Sequence, residues 1–285
     1  LHKNAHFTGP ITCISIDVDN TKYSWQPFSN QIDNYKKNQN LYKNSLGNKI
    51  VFEEINHTIG LTFLYSWQAS AKYGFVKKTK LLNHSGKKLN IKLIDGLRNI
   101  LPAGVSLRTQ QEMSNLANAY KVSECNSDYN YALYYMNALL MDKPDPGESL
   151  FSNIVWSHSS DNIELSVNEK SISTFLSSNE FEKDHLLKGK EGSFLNYIQK
   201  PLSSGHEMIW YIIADVQKSQ SDVSAIISDL KESDRIAKKL EKSIADNCYA
   251  FEKNIGMADG FQCTEININD LHHTANVTYN VLRGG

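Results

Sequence analysis

Cysteine is scarce. Cys13, Cys125, Cys248 and Cys263 are the only four, and none stands in C-x-x-C spacing. That excludes a disulfide-stapled scaffold and a zinc-finger core, and leaves buried or idle thiols. No cofactor and no metal is expected. An excess of one charge is missing too: 30 basic side chains face 31 acidic ones, a net of −1. No field exists to attract nucleic acid or an anionic membrane, so neither is expected as a partner. No apolar run reaches membrane-spanning length; the longest candidate, "MIWYIIADV" (Met208–Val216), is strand length. Absent as well are G-x-G-x-x-G, the Walker loop, H-E-x-x-H and G-x-S-x-G. An enzyme assembled from scattered strand residues stays open.

What is present is enough apolar material, 40% of the chain, to bury a sizeable core without staples. Most of it has strand patterning. In "TIGLTFLYSWQA" (Thr58–Ala69), Ile59, Leu61, Phe63, Tyr65 and Trp67 share one face of a two-residue period. "YGFVKKTKLLN" (Tyr73–Asn83), the turn "HSGKK" (His84–Lys88) and "LNIKLID" (Leu89–Asp95) predict a hairpin. "ITCISIDVD", "NKIVFEEI", "YNYALYYMNALLM" (Tyr129–Met141), "LFSNIVWSHS", "NIELSVN", "SFLNYIQ" and "EMIWYIIADV" are further strands. The polar stretch 31–44 reads as loop, and "KPDPGES" (Lys143–Ser149) as a break. Repeated short strands with turn signals predict a mainly β fold, a large antiparallel β-sandwich.

After Val216 the period changes. Val223, Ile226, Ile227 and Leu230 fall at helical spacing, with Ser219 or Ser221 as N-cap. Ile236, Leu240 and Ile244 step by four toward Cys248 and Phe251, and Gly256 reads as the stop. This apolar stripe is the buried face of a helix on its own domain or a partner surface. The chain starts at Leu1 and ends on "RGG", which raises the expectation of a processed or excised segment.

Candidate functional residues each have a plain alternative. His158, His185 and His206 with Glu207 would make a sugar-epimerising acid–base set if folding gathered them; otherwise they are turn histidines. Trp67, Trp156 and Trp210 suit either a sugar face or the core. Adjacent His272 and His273 would point about 100° apart on a helix and cannot chelate one ion together. Three N-x-S/T matches, at Asn56, Asn83 and Asn276, are short enough to arise by chance. The stretch "IDGLRNILPAG" (Ile94–Gly104) reads as a structural corner in which Arg98 donates to backbone carbonyls or braces Asp95, or as a loop meeting a sugar or another domain.

Three features carry a resemblance: the aromatic strand running into "GFVKKTKLLN", the segment "LIDGLRNILPAG", and "GSFLNYIQKPLSSGHEMIWYIIADVQKSQSDVSAIISDL" (Gly192–Leu230). Over most of 50–285 the chain resembles the N-terminal β-supersandwich of cellobiose-phosphorylase-like proteins, glycoside hydrolase family 94, and their bacterial relatives. The resemblance implies a galactose-mutarotase-like sandwich over 1–217 and a helical linker over 218–285. The linker would lead to an (α/α)6 barrel, absent here, that carries the chemistry. It implies a noncatalytic module that supports that barrel, dimerisation or glycan binding. The partners it implies are a glucan-type carbohydrate, the missing (α/α)6 domain and a second copy in a homodimer, in a bacterial cytoplasm or periplasm. No catalytic residue carries over. Asp95, Arg98, Asn99 and Trp67 are the candidates for carbohydrate or domain contact. A free-standing aldose-epimerase-like enzyme is the alternative.

Overall fold

The computed structural model describes residues 8–19, 21–29, 33–138 and 147–283. Its strands are β1 (Gly9–Val18), β2 (Thr21–Trp25), β3 (Lys37–Lys43), β4 (Ile50–Asn56), β5 (Leu61–Ser70), β6 (Gly74–Asn83) and β7 (Leu89–Ile100). Two short helices, α1 (Leu107–Glu112) and α2 (Ser114–Tyr120), lead to β8 (Lys121–Asn126), β9 (Tyr131–Met136), β10 (Phe151–Ser159) and β11 (Glu164–Ser166). Then come α3 (Lys170–Ser178), β12 (Leu186–Lys188), β13 (Gly192–Leu202), β14 (Glu207–Ser219), α4 (Gln220–Leu230), α5 (Ser233–Asp259) and α6 (Asn267–Leu282).

The strands form two antiparallel sheets. The smaller has the order β11-β13-β7-β1-β2, and the larger β12-β8-β9-β10-β14-β6-β5-β4-β3. Between them lies the main core: Ile14 and Ile16 from β1, Ile91 and Leu93 from β7, and Phe63, Leu81, Trp210 and Ile212 from the larger sheet. The sheets are covered on their outer sides as well. Helix α3 places Ile172 and Phe175 over Cys13, Ile94 and Leu195 of the smaller sheet. Helices α4 and α5 place Val223, Ile226, Leu230, Ile236, Leu240 and Ile244 over Val76, Trp156 and Ile213 of the larger and over Tyr73 in the β5–β6 turn. Strands buried on both faces lose clean alternation, which is why β5 buries Thr62, Ser66 and Ser70 too.

The expected β6–β7 hairpin is a sheet switch instead. β6 pairs with β5 and β14, whereas β7 pairs with β1 and β13. The β13–β14 turn crosses between the sheets in the same way. Wholly buried Asn83 ties the two crossings together: its Nδ2 donates to the Lys87 and Leu202 carbonyls at 2.8 Å each. Asn56 is also wholly buried, and its Oδ1 accepts from the backbone of Thr58 and Ile59. At these two positions the N-x-S/T pattern is turn chemistry, in which an asparagine side chain caps its own turn.

Other segments depart from expectation. Part of the polar stretch 31–44 is the edge strand β3, whose Gln39 and Asn40 bond Glu54 and Glu53; a polar edge discourages pairing with other chains. Residues 31 and 32 lie outside the described residues, as do 139–146, so β9 is followed only to Met136 and its immediate neighbours. Gly256 does not end its helix, which runs to Asp259 with Gly260 as C-cap. A Cβ at Gly256 would come within 2.7 Å of the Phe261 ring, so that glycine lets the following turn fold back. Ser219 does cap α4, in a reciprocal capping box with Asp222. The four thiols are free; Cys13 is buried and Cys263 exposed.

Candidate functional site

"IDGLRNILPAG" is mostly strand, not loop: β7 runs through it to Ile100, and the chain turns only at Pro102–Gly104. Gly96 is required there, since a Cβ would fall 2.0 Å from the Phe194 carbonyl oxygen of β13. Alternation along β7 points Asp95 into the sandwich. Its Oδ1 accepts from Lys77 Nζ and Thr12 Oγ1, each at 2.6 Å, and its Oδ2 accepts from Trp210 Nε1 at 2.7 Å. Both Asp95 and Lys77 are 0% exposed. Thr12 comes from the small sheet, and Lys77 and Trp210 from the large one, so the carboxylate joins the layers. It has no exposed surface with which to meet a ligand.

Arg98 lies elsewhere, with Nη1 3.9 Å from Glu169 Oε1 at the start of α3. The expected Asp95–Arg98 brace is therefore corrected to Asp95–Lys77. Two strands closing on one interior can supply the counter-ion from the opposite sheet. Asn99 takes a left-handed conformation, φ 51°, one residue before the strand ends. The charge at Asp95 is felt locally. Burial, and then Asp95, raise the Tyr65 phenol to about 12. Burial first raises the Cys13 thiol to about 12; Arg98 opposes this and Asp95 adds to it.

Trp67 lies one strand from Lys77, in register with it and with Ile50. It is half-buried, unlike Trp156 and Trp210, which are core. Beside it the inner face of the large sheet is aromatic. Phe52 stacks on Tyr65 at 4.8 Å, and Phe28 meets Tyr65 edge-on at 5.5 Å. Leu41, opposite Phe52, is 58% exposed, and Phe75, opposite Ala69 at the start of β6, is 59% exposed. Behind the aromatic row, buried Glu54 accepts from Trp25 Nε1, Gln39 Nε2 and the Phe28 amide. The arrangement offers an apolar contact face next to fixed polar groups. It places no general acid opposite a base.

The epimerase residues are dispersed. His158 sits on β10 opposite Tyr211, and burial lowers its pKa. Glu207 lies four residues from Tyr211, about 13 Å along β14, and pairs with Lys80. His206 is in the turn before β14 and His185 precedes β12. Among the described residues no group of histidine, cysteine and carboxylate side chains could hold a metal.

The helical layer is tied down by Asp229. It accepts from Lys72 at 2.5 Å, Lys239 at 2.8 Å and Tyr73 Oη at 3.0 Å. Burial alone would raise its pKa, but the bonds from Lys239, Lys72 and Tyr73 outweigh it and hold the carboxyl at about 2. A depressed folded pKa stabilises above the unfolded value, about 4, and that contribution is lost as pH falls through about 2. Asp229→Asn should therefore lower the thermal midpoint at neutral pH, and the gap to wild type should close toward pH 2, as followed by circular dichroism. Farther along, Met257, Tyr279, Val281 and Leu282 are half or more exposed, while Val277 is buried.

No family model matches this chain, and no curated protein does. Solved structures align with much of it at low identity. A bacterial glucoamylase complexed with acarbose is 8% identical, with a TM-score of 0.48, over 84% of this chain and 31% of that one. The likeness is to carbohydrate-active enzymes. A putative kojibiose phosphorylase from the human microbiome is 10% identical (TM-score 0.43; 81% of this chain, 26% of that one). A family GH92 α-mannosidase from Bacteroides thetaiotaomicron is also 10% identical (TM-score 0.38; 80% and 26%). The chain spans less than a third of the length of each.

Proposed function

We propose that this chain is a noncatalytic β-sandwich module of a glycoside phosphorylase or hydrolase. In this reading 1–217 is the sandwich and 218–285 the linker to an (α/α)6 catalytic domain of the cellobiose-phosphorylase-like type. The observation that carries it is the apolar surface of α6 and the end of α5, where Met257 is 76% and Leu282 79% exposed. Patches of this kind mark protein contacts. The sequence resemblance supplies the occupant: a helical domain of the same enzyme. The face around Trp67, Phe75 and Leu41 is the second contact, for that domain or for a glucan-type carbohydrate. Arg98 and Asn99 lie at the far end of β7, where they could meet the same partner.

Two measurements test this. The isolated chain, incubated with cellobiose and other β-linked disaccharides with and without phosphate, should release no sugar, and polarimetry should show no faster mutarotation of glucose or galactose. Turnover that disappears in His158→Asn or Glu207→Gln would overturn the module reading in favour of the epimerase. Lacking its partner, the chain should also self-associate as concentration rises, and Tyr279→Ser with Leu282→Ser should weaken that in sedimentation. A wild type that stays monomeric throughout would count against an unmet apolar surface.

A further inference from the structure

The outer side of the small sheet carries a second feature, away from Trp67 and from the helical layer. A cleft of about 270 Å³ opens there beside α3, where the helix no longer covers the sheet. Ser15, Asp17, Lys22, Asn90, Lys92 and Gln199 line it. Register explains the gathering. Ser15 lies opposite Lys92, Asp17 opposite both Asn90 and Lys22, and Gln199 opposite Lys92, so four neighbouring strands present one polar floor.

These side chains are not consumed by one another. Among the described residues, Asp17, Lys22 and Lys92 form no ion pair. Ser15 is 9% exposed, and no described residue bonds its hydroxyl. Lys200, on the rim, is already held by Asp161 at 2.5 Å. Gln199 is oriented: its Oε1 accepts from Tyr197 Oη at 2.9 Å, which leaves its amide NH2 as the group with which to donate. The floor thus carries two ammonium groups and one carboxylate, among a hydroxyl and two amides. One anionic group on a ligand would balance the charge. The carboxylate of Asp17 and the neutral groups suit several hydroxyls. The volume lies at the lower edge of small-molecule pockets, about 300 Å³, and admits one ring rather than a chain.

We propose that this cleft binds a single sugar acid, a uronate residue either free or at the end of a glycan. Lys22 and Lys92 take its carboxylate, and Asp17, Ser15, Asn90 and Gln199 its hydroxyls. The inference does not depend on the module reading, since the cleft lies on the opposite side of the small sheet from the inner face.

The test is a titration of the isotope-labelled full chain, followed by amide chemical shifts. The probes are sodium glucuronate, a short glucuronate-ended oligosaccharide, glucose and acetate. Saturable shifts with glucuronate, confined to β1, β2, β7 and the end of β13, are expected. Loss of one charge-assisted contact should weaken binding about tenfold, both for glucose and acetate against wild type and for glucuronate against Lys92→Met or Asp17→Asn. Both substitutions sit on open strand faces, and an unchanged amide spectrum elsewhere confirms their folding. The oligosaccharide separates the two sources: tighter binding than the monomer places the site at a glycan end, and equal binding assigns it to the free acid. Acetate or glucose binding as well as glucuronate, binding unaffected by both variants, or no saturable shift would each overturn the proposal.

Discussion

Replacing Asp95 by alanine is expected to destabilise the fold by about 3–5 kcal/mol, the range for removing one partner of a buried ion pair. Three donors lose their acceptor at once: the Lys77 ammonium, the Trp210 indole and the Thr12 hydroxyl. No water-exposed route relieves Lys77, which has no accessible surface. Lys77→Met should be costly for the same reason, since it leaves the carboxylate without its counter-charge. The double variant Asp95→Leu with Lys77→Met should recover much of the loss, because an apolar pair leaves no charge stranded. Arg98→Ala should cost less than Asp95→Ala, because the Glu169 carboxylate it leaves behind is 43% exposed and can be rehydrated, whereas Lys77 cannot. Equilibrium urea unfolding of the four variants reads all of this from midpoints and slopes. Equal losses for Asp95→Ala and Arg98→Ala would restore the corner as the seat of the brace.

The second large effect is at Leu240. It is 0% exposed beneath α5, packed with Ile236 and Ile244 against the large sheet. Leu240→Ala should cost about 2–5 kcal/mol, the transfer term plus the cavity left behind. The size of that loss bears on what the helical region is. A linker loosely laid on a sandwich would tolerate the change, whereas a third layer would not. Around Leu240 the interface is polar as well as apolar: Glu241 accepts from Lys78 and Tyr211, and Ser243 meets Ser70. Thermal unfolding by calorimetry should show one transition that shifts down as a whole. A separate early transition, leaving the rest unmoved, would make α5 an appendage.

How much of this was legible in the sequence varies with how the residues are used. The strand nature of β5, β7 and β14 and the Ser219 cap could be read from period and spacing alone. Lys77 could not. In "GFVKKTKLLN" it looks like one of several solvated lysines, and only the opposing sheet reveals Asp95 as its partner. β3 hid for the opposite reason: its side chains are polar because it is an edge. Sheet membership was also invisible, since the turn "HSGKK" serves a hairpin or a crossing equally well. The cleft on the small sheet was out of reach because Ser15 and Asp17, Asn90 and Lys92, and Gln199 read as the wet sides of three unrelated strands.

The two crossings held by Asn83 have a consequence for how the chain reaches its fold. Neither sheet is built from a continuous run of sequence. Thr12 meets Asp95 across 83 positions, and Asn83 meets Leu202 across 119. Each sheet therefore waits for a strand made late: β13 joins β11 to β7 in one, and β14 joins β10 to β6 at the centre of the other. Closing such long loops costs entropy before any contact repays it, which makes folding slow. During synthesis β7 and β6 leave the ribosome with one edge each unpaired until β13 and β14 follow. The vulnerable period of this protein is thus set by topology, and a chaperone's protection should matter most before residue 219 has emerged.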